Sequence, residues 1–332
     1  MRFVLALALF LALTCTSAPV SAQSAAETLV VDATAVAHGI VRAKLSIPVS
    51  PGPLTLVYPR WIPGEHGPNG PINELAALRI SAGGTPLTWR RDTIDQYAFH
   101  LVVPPGTLRL DVSLDYLLSG SSAPGGKERT TSGTMAMLNW YAVVLSPQGG
   151  TNAGVRLIPS IVLPPSWDYA TALMTRAKTG NRVDFSEVSL ETLADSPLLT
   201  GAHMRKITLA TNGGTNELDL AGESDAALAA TPETIDKYKN LVTETDALFG
   251  ARHWRNYHFL LTLSDAIDFQ GIEHHESSDN RAAENYLTDG EALHYSADLL
   301  PHEFTHSWNG KYRWALIWCR AATCMWTTIW SG

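Results

Sequence analysis

Cysteine is nearly missing from this chain of 332 residues: only three occur, and Cys15 falls inside an apolar leader. With Cys319 and Cys324 alone left over, no disulfide framework supports the fold, which must rely on its core. Charge is sparse as well. Charged residues make up 17% of the sequence and the net charge is −8. No run of lysine or arginine offsets that balance, so neither nucleic acid nor an anionic membrane has an electrostatic claim as a partner. Beyond the leader, no apolar stretch is long enough to span a bilayer. The apolar share is nonetheless an ordinary 45%, in a chain long enough for two domains.

The N-terminus reads as a targeting segment. Arg2 gives the positive start, Phe3 to Leu13 form a short apolar core, and Val20-Ser21-Ala22 is a small-residue cleavage site. Residues 1–22 are therefore expected to be a signal peptide, removed after Ala22 as the protein is exported to the periplasm or the medium.

From about residue 28 to 220 the pattern has period two. Val41, Ala43, Leu45 and Ile47 alternate with Arg42, Lys44 and Ser46, and Leu108 to Tyr116 repeats the alternation. Shorter strand-like runs occur at Leu54–Tyr58, Tyr97–Val103, Leu138–Leu145 and Val155–Leu163, divided by clusters such as Pro51-Gly52-Pro53 and Pro104-Pro105-Gly106. Many short strands without a long helical pattern predict a β-sandwich-like domain, assigned to residues 23–225. Ser119 to Thr134 is a Gly/Ser/Thr-rich loop. The segment Pro59 to Pro68 is too rich in proline and glycine for a strand and reads as a structured crossover whose Trp61 plugs the core.

The pattern changes near residue 221. Thr231 suits an N-cap and Pro232 the first turn, and Ile235, Tyr238, Leu241, Val242, Thr245 and Leu248 keep helical spacing up to Gly250. Tyr257 to Leu263 is an apolar strand, followed by the polar Gly271-Ile272-Glu273-His274-His275-Glu276-Ser277.

His302-Glu303-Phe304-Thr305-His306 then stands on a predicted helix. Residues i and i+4 share a helical face, so two imidazoles converge on one point, which suits Zn²⁺. Glu303 follows the first imidazole by one position and can act as general base. Leu300, Phe304 and Trp308 supply the core-facing stripe, Pro301 fits the first turn, and Asn309-Gly310 is the expected stop. Residues 226–313 thus read as the first half of a zinc-dependent catalytic domain in an α+β multidomain chain.

Four stretches give the chain a resemblance to a known family: Tyr58-Pro59-Arg60-Trp61-Ile62-Pro63-Gly64-Glu65, Leu138-Asn139-Trp140, Gly271-Ile272-Glu273-His274, and His302 to Arg313. In these it resembles the glycyl aminopeptidase family of thermolysin-like (gluzincin) zinc metallopeptidases. The resemblance implies Zn²⁺ held by His302 and His306, with Glu303 as general base. It also implies that Glu273 holds the free α-amine of a peptide substrate, and that small N-terminal residues such as Gly or Ala are removed.

The family's third zinc ligand, a glutamate on a following helix, has no counterpart here. From Trp314 to Gly332 there is no Asp, Glu or His, and residues 314–332 hold four of the ten tryptophans with Cys319 and Cys324. That tail reads as aberrant, the product of a frameshift or truncation after Arg313, which leaves the zinc site one ligand short. Two functions stay open at this point: a zinc aminopeptidase whose activity in this chain is in question, or an exported, non-catalytic β-domain binding protein with an incomplete zinc motif.

Overall fold

The structure is a computed structural model that describes residues 25–64, 67–118, 129–211 and 213–312. The expected leader, the 314–332 tail with its cysteines, Glu65, Arg313 and most of the 119–134 loop lie outside these residues.

Among the described residues the chain is mostly β-sheet with few helices. The alternating segments become the Ile40–Pro48 and Arg109–Leu117 strands, which pair antiparallel in the middle of a nine-stranded sheet. Their inward residues, Val41, Ala43, Leu45 and Ile47 facing Leu110, Val112 and Leu114, are almost fully buried. The Glu27–Asp32 strand joins the other side of Ile40–Pro48 and runs parallel to Arg156–Val162, the sheet's one parallel pairing. A four-stranded sheet built on Gly52–Val57 and Ala98–Val103 contributes Leu56, Phe99 and Leu101 to the same core. Two sheets closing on one core agree with the sandwich-like expectation.

One strand expectation changes. The Leu138–Leu145 run is a strand only at its start, within Met135–Leu138, and then turns through a 3-10 helix at Trp140–Val143. All four helical residues are buried, and an unbroken apolar run does not distinguish a strand from a buried turn.

A separate five-stranded sheet runs in the order Met204–Ala210, Thr215–Gly222, Asn256–Leu263, Ser277–Ala282, Gln270–Glu273. Its middle three strands are parallel and the two outer pairings antiparallel. The Pro232–Phe249 helix crosses between two parallel strands, as a parallel pair requires. Thr231 caps it by accepting the Thr234 N–H at 3.1 Å, and Gly250 ends it with a left-handed φ of 66°. This sheet starts at residue 204, ahead of the pattern change near 221, because period two looks the same in either sheet.

The two faces of that sheet have different neighbours. Leu218, Leu220, Phe259 and Leu261 pack with Tyr238, Val242, Leu300, Phe304 and Trp308. Ala221 and Leu260 lie on the other face, against Met135, Met137 and Leu199 of a three-stranded sheet. The histidine helix, Leu299–Thr305, therefore rests on one face only. It stops earlier than expected, with His306 as its final cap, and turns carry the chain to Gly310.

Candidate metal centre

The apolar stripe of the histidine helix decides where its polar residues go. Leu300, Phe304 and Trp308 are buried against the sheet, which turns His302 and His306 outward. Their Nε2 atoms face each other at 3.2 Å. His306 Nδ1–H donates to the Asn309 carbonyl at 2.9 Å, which leaves its Nε2 as the lone-pair nitrogen. In a tetrahedral site with Zn–N bonds of about 2.0–2.1 Å, two ligating nitrogens sit roughly 3.3 Å apart. The pair therefore fits zinc. Glu303 completes a group whose ligand atoms all lie within 4.8 Å of one another, and among the described residues no other His, Cys, Asp or Glu joins it.

Glu303 points back into the protein and is 6% exposed. Its carboxylate lies over the backbone of Gly271, where a Cβ would approach Oε1 to 2.1 Å. Any side chain at 271 would drive the carboxylate away. Burial, with the nearby Glu273 carboxylate adding to it, pushes the Glu303 carboxyl up to about 7, against the opposing charge of His306.

Glu273 ends the Gln270–Glu273 strand, which pairs on one side with Ser277–Ala282 and forms the outer edge of the five-stranded sheet. The Pro59–Gly64 crossover reaches this strand. Trp61 packs against the core as expected, while Gly64, with φ of 78°, sits so close to Ile272 that a Cβ would meet it at 2.7 Å.

Residues 28–202, just over half of the chain, match the peptidase M61 N-terminal domain. The chain belongs to that family. As an M61-domain protein it is metallopeptidase-related, and solved structures agree with this at the level of fold. An aminopeptidase N family protein from Idiomarina loihiensis superimposes with a TM-score of 0.70 at 16% identity, covering 85% of this chain and 48% of its own. An M1 zinc metallopeptidase from Deinococcus radiodurans gives a TM-score of 0.50 at 11% identity, covering 86% of this chain and 63% of its own. The M61-domain chain thus spans about half the length of the first and less than two thirds of the second. No curated protein matches it in sequence.

One polar centre of the M61-domain chain had no sequence signal. Asp195, at the end of the short Leu190–Ala194 helix, is 3% exposed and accepts from His274 Nδ1 and Lys311 Nζ, each at 3.1 Å. Its other oxygen takes the His275 backbone N–H at 2.7 Å and the His275 ring. Burial alone would raise this carboxyl, but Lys311, His275 and the imidazole hydrogen bonds outweigh it and hold it well below the usual carboxylate range. His274 and His275 are thus tied to the β-rich part of the chain across 79 and 80 positions. A buried aspartate between Ala194 and Ser196 has no motif, and only the tertiary structure shows its partners.

Proposed function

We propose that the chain carries the ligand pair and general base of a zinc aminopeptidase that removes small N-terminal residues such as Gly or Ala from peptides. The observation that carries this reading is the Nε2 pair at 3.2 Å with the buried Glu303 beside it. His302 and His306 would hold Zn²⁺, which when bound supplies Lewis acidity to a scissile carbonyl. Glu303, with its midpoint near neutrality, takes a proton from the attacking water and returns it to the departing amine. The free edge of the Gln270–Glu273 strand offers unpaired backbone groups to an extended peptide, and Glu273 at its end holds the α-ammonium. Residues 1–22 act as an export signal, placing the enzyme in the periplasm or outside the cell.

Among the described residues two imidazoles meet at the candidate metal centre, fewer than the ligand set of a complete zinc site, and the 332-residue polypeptide is expected to hold the metal weakly and turn over little. Zinc content measured beside hydrolysis of a Gly- or Ala-aminoacyl reporter tests this. A chain continued after Arg313 with a glutamate-bearing helix should gain both, and Glu303→Gln in it should cut turnover by roughly 10²–10⁴-fold while sparing zinc. Full zinc and Glu303-dependent activity in the short chain would overturn the incomplete-site reading. A continued chain that binds no zinc would overturn the metallopeptidase reading itself.

A further inference from the structure

The face of the five-stranded sheet turned away from the histidine helix carries a second polar group. Glu217 and Asp219 alternate onto this face of the Thr215–Gly222 strand, and His258 stands on the next, parallel strand in register with Glu217. His258 Nδ1 lies 2.8 Å from Asp219 Oδ2 and 3.7 Å from Glu217 Oε2, and the three ligand atoms all fall within 4.8 Å of one another. Asp219 is fully buried, yet its Oδ1 has no hydrogen-bond partner. A buried carboxylate oxygen left unpaired is costly unless something binds it. All three residues line a cleft of about 340 Å³ bounded on its far side by residues 169–175.

Neither cation in that cleft answers the need. Lys206 pairs with Asp168 at 3.9 Å and lies over the Tyr169 ring, and Arg255 pairs with Glu276 at 3.2 Å. One imidazole is left to serve two carboxylates. The donor set of two carboxylate oxygens and one imidazole nitrogen is that of a borderline divalent ion. Bound ligand atoms sit roughly 3–4 Å apart in such sites, so a small inward movement of Glu217 closes the group. We propose that Glu217, Asp219 and His258 form a second divalent-cation site, of the zinc class. The ion replaces the proton that His258 Nδ1 shares with Asp219 and engages the unpaired Asp219 oxygen. Leu218, Leu220, Phe259 and Leu261 project to the opposite face, so this site is separated from His302 and His306 by the thickness of the sheet.

Zn²⁺ titration of the full chain, read by bound metal and by the rise in melting temperature, tests the proposal. The His302→Ala/His306→Ala double variant isolates the second site from the first. It should still bind one equivalent of Zn²⁺ and melt higher with it. Adding Asp219→Asn, which keeps shape and removes charge, should weaken that binding by at least about tenfold and abolish the rise. Glu217→Gln, at a half-buried position, should do likewise and carries the test should Asp219→Asn fail to fold. A double variant that binds no Zn²⁺ would mean an ion triad built on protonated His258. Retention of full affinity after Glu217→Gln and Asp219→Asn would place the ion elsewhere. Either result overturns the site, and neither bears on zinc at His302 and His306.

Discussion

The Ile40–Pro48 and Ser277–Ala282 strands are both interior, and they are buried by opposite chemistry. The first alternates, with Val41, Ala43, Leu45 and Ile47 inward and Arg42 and Lys44 at the surface. The second, Ser-Ser-Asp-Asn-Arg-Ala, is buried at every position although five of its six residues are polar or charged. Much of its polar surface is paired within the strand or with its neighbour. Arg281 bonds both oxygens of Asp279, and Asn280 Nδ2 donates to the Leu260 and Ser278 carbonyls. An apolar strand gains stability from each side chain separately, whereas a buried charge such as Asp279 depends on its partner being present.

That difference is open to attack by mutation. Arg281→Met leaves the fully buried Asp279 charge without its partner and is expected to cost about 3–5 kcal/mol in denaturant unfolding, at the top of the range for a core truncation such as Leu45→Ala. Replacing both members, Asp279→Leu with Arg281→Met, should recover much of the loss, because the penalty lies in the unpaired charge. A double variant no more stable than the single would show that the pair itself contributes the stability.

Glu27 sharpens the contrast from within the apolar region. It is 5% exposed, its Oε2 has no partner, and burial raises its carboxyl from 4.5 to about 8 despite the opposing charge of Arg109. Below pH 4.5 the group is protonated in both folded and unfolded chains and contributes nothing to pH dependence. Between 4.5 and 8 only the unfolded chain ionises, so stability falls as pH rises, by about 1.4 kcal/mol per unit, and levels off above 8. Glu27→Gln should remove that slope and leave the variant more stable than the parent at pH 9. Unfolding free energies of both proteins across pH 4–9 check this, and parallel curves would refute it. The smallest effect is expected at Thr231→Ala, which deletes the hydroxyl that receives the Thr234 N–H. Urea unfolding should show a loss of about 1 kcal/mol, and no change would mean that packing alone holds that helix start.

The same contrast separates what was legible in the sequence from what was not. Strands with one wet face and one dry face announce themselves by alternation, and the Pro232–Phe249 helix by its cap, proline and left-handed glycine. The His302-Glu303-x-x-His306 pattern is local, so one turn of helix was enough to predict that the imidazoles meet. The Ser277–Ala282 strand gave no such signal, since hydrophobic periodicity is blind to polar residues buried in pairs. The parallel pairing of Glu27–Asp32 with Arg156–Val162 is equally silent, because register between distant strands is not a property of either one. Glu217, Asp219 and His258 assemble through a register of the same kind, and Asp195 meets its partners only through tertiary packing.

Asp195 has a mechanical consequence. Its donors come from the two sides of the candidate metal centre: His274 and His275 follow Glu273 directly, and Lys311 lies five positions beyond His306. One carboxylate thereby works as a gauge block between the strand that ends in Glu273 and the helix that carries the imidazoles. The block itself stands outside both, at the end of the short Leu190–Ala194 helix. The same carboxylate therefore ties both jaws of the centre to one point, in addition to the direct contact that Glu303 makes over Gly271.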